Sequence, residues 1–266
     1  AGISQVNNLT TAAGSTLFSD GAFTVTGTAG LAGSVATSGD QFQINGAATI
    51  TGAVGIDTTN AGASASGGAV VFGGNNNPLN TAAVHTLSVT TNGTASDGNV
   101  SLQNVGNTTP LGALSLIADT GTITLNGSQV RTTTAGGGSG LIQFGSSLKL
   151  TADTTMSTGG GDLDYSSTNV YADASGPCRL TIQTGTGPVA DATPAGSVLL
   201  GVFRDRNQGG GDISKFVKAL AVDTSDPDPG SPTLTLTGNI SLDNKAAALA
   251  SLTLTDLAAV IVSNSP

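Results

Sequence analysis

The stretch FQINGAATITGAVGIDTT (residues 42–59) alternates apolar and polar residues and is interrupted by glycines. This pattern is typical of short β-strands joined by tight turns. A second stretch, IQFGSSLKLTADTTMSTG (residues 142–159), matches it at an offset of 100 residues, with coinciding apolar positions but few identities. Fixed apolar positions with changing residues between them indicate an internal repeat of strands. This repeat, rather than any single motif, decides the fold.

The repeat continues outward from these two stretches with a drifting offset. GGAVVF (67–72) aligns with GGDLDY (160–165), and TITLNG (122–127) aligns with TLTLTG (233–238), so insertions fall between strands that keep their order. The alignment predicts four segments along the chain. They are N-terminal coils or a cap (1–41), a first unit (42–141), a second unit with a charged insertion at 203–232 (142–248), and a further coil or end-stacking segment (249–266).

The composition favours stacked coils over packed sandwiches. The 266 residues include 39 glycines and no tryptophan, and only 3% are aromatic. Small and β-branched side chains fill a narrow interior, which predicts an all-β parallel β-helix (β-solenoid) of roughly eleven coils, at about 20–25 residues per coil. The alternative is a tandem of Ig-like β-sandwiches of about 100 residues each. A sandwich core usually contains larger side chains than this chain supplies.

The charge balance excludes several classes of partner. The net charge is −9, all 17 acidic residues are Asp, and residues 1–130 contain no Lys or Arg. A nucleic-acid binder needs basic patches to neutralise phosphate, and an anionic membrane surface attracts the same kind of patch. The sequence contains no run of 18 apolar residues, so no transmembrane helix is predicted. We therefore expect neither nucleic-acid binding nor membrane insertion.

Three phrases carry a resemblance to a known group of proteins: LGALSLIADTGTITLNG (111–127), GGGDLDYSS (159–167) and ALASLTLTDLAAVIVSNS (248–265). They resemble the passenger regions of filamentous-haemagglutinin-like adhesins and of other autotransporter-type bacterial surface repeat proteins. The resemblance implies a right-handed parallel β-helix that is secreted to the bacterial cell surface. It also implies a non-enzymatic role, in adhesion or in building an extracellular fibre or layer.

The charged insertion is the predicted contact region. Residues 201–230 hold 9 of the 25 charged residues of the chain. Inserted loops on a repeat scaffold commonly carry recognition, and an Arg pairs well with a carboxylate from a sugar acid or a neighbouring subunit. The predicted contact residues are Arg204, Asp205, Arg206, Asp212, Lys215, Asp223, Asp226 and Asp228.

Two acidic segments are candidate calcium sites. GGGDLD (159–164) partly matches the turns of calcium-binding β-rolls, and DTSDPDPGSP (223–232) clusters three carboxylates on one loop. The first does not recur every nine residues, and the prolines of the second suit a solvated turn. The prediction is therefore no cofactor, with calcium kept as the alternative.

Catalysis is not predicted. Asp162, Asp164 and Asp173 could supply the paired carboxylates of a polysaccharide-degrading β-helix, but such folds normally add aromatic platforms for the sugar. The single His85 and single Cys178 show no spacing that pairs them. Two alternatives remain: a carbohydrate-binding or polysaccharide-degrading β-helix and, from the Thr-x-Thr run TLTLT (233–237), an ice-binding solenoid.

The C-terminal segment predicts the partner. LAAVIV (257–262) is apolar and shows no polar cap. An uncapped edge strand invites pairing with another strand. We expect self-association end to end, or contact with further repeats of the same protein, and glycans of a host or neighbouring cell as a second class of partner.

Overall fold

In the computed structural model the chain is all-β. The structure describes residues 4–74, 77–172, 178–186, 193–203, 217–240, 242 and 251–262, and these include a short 3₁₀ turn (Ala135–Gly137) and no α-helix. No described segment forms a helix able to cross a membrane. The strands are β1 (Ser4–Val6), β2 (Leu9–Thr10), β3 (Thr16–Ser19), β4 (Phe23–Val25), β5 (Ala29–Thr37), β6 (Phe42–Ile44), β7 (Ala48–Asp57), β8 (Val70–Phe72), β9 (Leu79–Thr81), β10 (Thr86–Thr90), β11 (Val100–Leu102), β12 (Ala113–Leu125), β13 (Gln129–Arg131), β14 (Ile142–Leu150), β15 (Thr154–Ser157), β16 (Leu163–Ala172), β17 (Cys178–Gln183), β18 (Val198–Phe203), β19 (Val217–Asp223), β20 (Thr233–Leu236), β21 (Ser251–Thr255) and β22 (Ala259–Val262).

The strands pair in three parallel ladders. Ladder A joins residues 4, 23, 42, 70, 100, 123, 148, 170, 203 and 240. Ladder B joins residues 9, 29, 48, 79, 105, 130, 156, 182, 222 and 254. Ladder C joins residues 16, 34, 55, 88, 115, 143, 164, 199, 235 and 261. One member from each ladder, in chain order, makes a rung, and the ladders contain ten rungs.

The pairing explains how a drifting repeat keeps a constant structure. Successive members of a ladder lie between 18 and 40 residues apart, and every strand pairing in the described ranges is parallel. The prediction of an all-β chain with parallel strands is confirmed. Ig-like sandwiches consist of antiparallel sheets. The observed pairings therefore do not fit the sandwich alternative.

The core lies behind the three ladders as one continuous apolar cluster. Alternate residues of each strand are buried, as the period of two requires. Aromatic rings contact one another along ladder A, where Phe42 stacks on Phe23 (ring centroids 6.1 Å apart) and meets Phe72 edge to face (6.4 Å). The ring of Phe144 meets the ring of Tyr165 on the next rung edge to face, with ring centroids 6.1 Å apart. Most of the described aromatic side chains therefore lie in the core.

Buried threonines close the loops between ladders. Each of these corner threonines lies two residues after the last side chain of a strand that points into the core. Its hydroxyl donates a hydrogen bond to a backbone carbonyl. That carbonyl belongs to the residue two positions before the first core-facing side chain of the next strand. The bonds run from Thr37 to Asp40 (2.6 Å), Thr58 to Gly68 (2.9 Å), Thr91 to Gly98 (2.7 Å), Thr132 to Gly140 and Thr158 to Gly161. Spans of 3 to 10 residues therefore end in the same geometry, so loop length can vary without disturbing the ladders.

Replacing Thr91 with Val tests the corner bond. Thr91 is fully buried, so removing its hydroxyl deprives a buried carbonyl of a donor, and we expect a loss of about 1–2 kcal/mol in the free energy of unfolding. Thr184 is the matched control, because its hydroxyl is equally buried but has no partner among the described residues. Thr184→Val should change stability by less than about 0.5 kcal/mol or increase it. Equal losses in the two variants, measured by denaturant unfolding, would show that the corner bond contributes nothing.

Candidate interaction surfaces

The predicted contact region is only partly described by the structure. Arg204, Asp205, Arg206, Asp212 and Lys215 lie outside the described residues. Asp223 ends β19, and Asp226 and Asp228 follow it in the turn that leads to β20. The geometry of the surface therefore starts from these three carboxylates.

Asp223 and Asp226 lie on an open groove at the corner between ladders B and C. The groove has a volume of about 520 Å³ and is also lined by Ser157, Gln183 and Asp256. Ser225 Oγ lies 2.6 Å from carboxylate oxygens of both Asp223 and Asp256, which come from neighbouring rungs. Asp256 was missed in the sequence because it lies about thirty residues from the loop it joins.

Asp226 binds the preceding rung rather than pointing freely into the groove. Its Oδ2 accepts the Thr186 amide at 2.7 Å and the Thr186 hydroxyl at 3.0 Å, and its Oδ1 accepts the Asp228 amide at 2.9 Å. The slight burial of Asp226 acts to raise its pKa, but these hydrogen bonds outweigh it and hold the pKa below 3.8. The carboxylate therefore joins two loops that are 40 residues apart in sequence.

The lowered pKa predicts an acid-sensitive loop. A carboxyl group with a depressed folded-state pKa stabilises the fold above its unfolded-state pKa, and this contribution is lost as pH falls through the folded-state value. We expect the Thr186–Asp226 contact of the wild-type protein to persist at about pH 4 and to be lost as the pH falls further, through the lowered folded-state pKa, with a small effect because the group is solvated. Hydrogen exchange of the Thr186 amide from pH 6 to pH 2 measures it. In Asp226→Asn the protection should not change with pH over this range; unchanged protection in wild type would refute the assignment.

Other aspartates make the same kind of link between rungs. Asp97 Oδ2 accepts the Thr120 amide (3.0 Å), Asp153 Oδ1 accepts the Arg179 amide (2.7 Å), and Asp162 Oδ1 accepts the Ser197 amide (2.7 Å). A short carboxylate on one rung reaches a backbone N–H on the next, as Asx side chains do locally in turns. This geometry accounts for Asp at these positions, and it assigns them a structural role that the sequence did not reveal.

Of the candidates for catalysis, Asp162 and Asp164 both line one open groove with a volume of about 310 Å³, but each also contacts a neighbouring rung. Asp162 is engaged with Ser197, Asp164 lies 3.3 Å from the Gln143 amide nitrogen, and Asp173 lies outside the described residues. Cys178 is buried, with its sulfur 3.7 Å from the Leu150 carbonyl oxygen. Within the described ranges, no three His, Cys, Asp or Glu side chains are close enough together to hold a metal ion.

The Thr-x-Thr run does not extend into a threonine array. Thr235 is a member of ladder C, and its ladder neighbours are Leu199 on one side and Ile261 on the other. A flat ice-binding face needs threonines repeated over many rungs. The described part of ladder C does not supply them around Thr235.

The last rung exposes apolar side chains. All residues of β21 and β22 are exposed, including Leu252 (49%) and Val262 (65%). These strands pair with β19 and β20 on one side, and no described strand covers the other side. At the opposite end Phe18 of β3 is 51% exposed. Among the described strands, those of rung 1 and rung 10 are therefore each paired on one side only.

Comparison with known proteins gives no relative: no family model, no curated protein and no solved structure matches this chain.

Proposed function

We propose that this chain is a non-enzymatic structural or adhesive segment of a large exported bacterial cell-surface protein. Its three ladders would be the faces of a right-handed parallel β-helix. Ten rungs spaced about 4.8 Å apart give a stiff rod about 45 Å long. The observation that carries the proposal is the unbroken run of parallel pairs in all three ladders, from rung 1 to rung 10.

The use made of the reactive side chains supports a structural role. Asp162 and Asp226 accept hydrogen bonds from neighbouring rungs, and corner threonines such as Thr91 face inward to close loops. A rod built in this way presents variable loops at its corners on a scaffold that does not change. Such loops, including the charged insertion at 203–232, are where contacts with glycans or neighbouring proteins would be made.

Two experiments test the proposal. Immunogold electron microscopy of the source cells, with antibody raised against the purified chain, should label the cell surface or an extracellular layer. Labelling confined to the cytoplasm would contradict export. Polysaccharide turnover by the purified protein that is lost in Asp162→Ala or Asp164→Ala would instead support the enzymatic alternative. Asp153→Ala is the matched control, because Asp153 makes the same inter-rung bond away from these two residues.

A further inference from the structure

Three Asn-Gly pairs occur in the chain: Asn45-Gly46, Asn92-Gly93 and Asn126-Gly127. In such a pair the backbone nitrogen of the glycine can attack the side-chain carbonyl carbon of the asparagine, because glycine has no side chain to hinder the approach. The attack also requires an asparagine side chain that is free to turn towards the backbone. The surroundings of each pair in the structure therefore decide whether it reacts.

The asparagine of the third pair is held by its neighbours. Asn126 Nδ2 donates to Ser101 Oγ at 2.8 Å, and Asn126 Oδ1 accepts the Thr151 hydroxyl at 3.3 Å. Its backbone amide donates to the Leu102 carbonyl oxygen at 2.8 Å. Both ends of the side-chain amide are therefore bound, and the backbone beside them is fixed by the preceding rung.

The asparagine of the first pair is held in a similar way. Asn45 Oδ1 accepts a hydrogen bond from the side-chain amide of Gln43. Its backbone amide donates to the Val25 carbonyl oxygen at 2.8 Å, and its own carbonyl oxygen accepts Asn77 Nδ2 at 3.0 Å. Turning the Asn45 side chain towards Gly46 would break the contact with Gln43.

Asn92 lacks these restraints. It is exposed in the corner loop that joins ladder C to ladder A. Among the residues that the structure describes, neither its side chain nor the backbone amides of Asn92 and Gly93 make a hydrogen bond. The amides of Thr91 and Ala95, on either side, donate to carbonyls of neighbouring rungs at 2.9 and 2.7 Å. The loop is therefore anchored while the Asn92 side chain can turn towards the Gly93 nitrogen.

We propose that Asn92 is a site of spontaneous deamidation. The Gly93 nitrogen loses its proton to solvent and attacks Asn92 Cγ, so that a C–N bond forms and closes a succinimide ring. The Cγ–Nδ2 bond breaks, and the side-chain nitrogen takes up a proton from water and leaves as ammonia. One water molecule then opens the ring at either of its carbonyls. The products are aspartate or isoaspartate at position 92, each with one more negative charge than asparagine.

The fold should tolerate both products. Isoaspartate lengthens the backbone by one carbon atom, and the corner loops already span from 3 to 10 residues. The bond from Thr91 to Gly98 that closes this corner lies outside the reacting pair. The reaction therefore adds a carboxylate to an exposed corner loop without opening the ladders. It needs only water, so it does not depend on the proposed function.

The test compares folded and unfolded protein at the same mildly alkaline pH and temperature. Pepsin is used for digestion, because residues 1–130 contain no Lys or Arg for trypsin, and mass spectrometry then follows the three peptides. In guanidinium chloride the three asparagines should react at similar rates, since each precedes a glycine. In the folded protein Asn45 and Asn126 should react at least about tenfold more slowly than Asn92, because they react only through local opening.

Asn92→Gln is the control variant, because glutamine would have to close a larger ring, which forms far more slowly. Ion exchange of the folded wild-type protein should show a more acidic species that grows with time and is absent from Asn92→Gln. Gly93→Ala is unsuitable as a control, since its Cβ would lie 2.4 Å from the Ala65 carbonyl oxygen. Asn92 that stays unmodified in the folded protein, or Asn45 or Asn126 that reacts there as fast as Asn92, would overturn the proposal.

Discussion

Phe42→Ala should lower the free energy of unfolding by about 3–5 kcal/mol, the range found for deleting a fully buried aromatic ring. The ring of Phe42 has no solvent exposure and contacts aromatic neighbours on the rungs before and after it. Its removal therefore leaves a cavity that two rungs border. The ladder hydrogen bonds on both sides hold the backbone in place, so the site cannot collapse to fill the space.

Phe18→Ala is the control for this prediction. Phe18 is 51% exposed on β3, and its truncation should cost less than about 0.5 kcal/mol. Denaturant unfolding followed by circular dichroism, at concentrations where the protein is monomeric, compares the two variants. Similar losses for both would mean that Phe42 does not lie in a packed core and that the ring stack along ladder A is wrong.

Gly98→Ala should lower the free energy of unfolding by about 3 kcal/mol, because the neighbouring rung leaves no room for a side chain at this corner. A Cβ on Gly98 would lie 2.0 Å from the Gly68 carbonyl oxygen and 2.4 Å from its carbon. These are backbone atoms of the preceding rung and cannot swing aside. Gly98 also supplies the carbonyl that Thr91 binds, so any shift of the backbone weakens the corner bond as well.

Gly55→Ala separates this steric effect from the general effect of replacing glycine. A Cβ on Gly55 meets nothing within 4 Å, and Gly55 lies in the extended backbone of β7. The variant should be unchanged or more stable by up to about 1 kcal/mol, since alanine restricts the unfolded chain. Thermal or denaturant unfolding compares the stability of Gly98→Ala with that of Gly55→Ala. Equal behaviour of the two variants would contradict the close stacking of the Gly68 and Gly98 turns.

The sequence predicted the strands but not the ladder to which each strand belongs. Phe42 was aligned with Ile142, and Ile50 with Leu150, yet Phe42 lies in ladder A and Ile142 in ladder C, while Ile50 lies in ladder B and Leu150 in ladder A. The alignment is out by one ladder along its length. Strands of all three ladders have the same alternation of small apolar and polar residues, so the period of two cannot tell one ladder from another.

The corner threonines mark where a strand ends but not which ladder it belongs to, because Thr91 follows a strand of ladder C and Thr158 follows a strand of ladder B. In Val89-Thr90-Thr91 and Gly98-Asn99-Val100 the threonine and the glycine mark the two ends of a corner, but seven residues separate them. In other corners the span is three, eight or ten residues. Because the loop varies, no fixed spacing exposes the motif. The sequence does not reveal the hydrogen bonds of the inter-rung aspartates for the same reason, since the partner of Asp226 is 40 residues away.

One strand of each ladder is added per rung in a parallel stack, so distances along ladder C should grow in proportion to the number of rungs between two residues. Spin labels on Cys variants of Ser34 and Thr235 span seven rungs, and labels on Ser88 and Thr235 span five, with the buried Cys178 replaced by Ala. At about 4.8 Å per rung the backbone separations are about 34 Å and about 24 Å. Pulsed electron spin resonance, on protein diluted with unlabelled copies, should give two narrow distributions that differ by about 10 Å. Broad distributions, or equal distances for the two pairs, would contradict the stacked ladders.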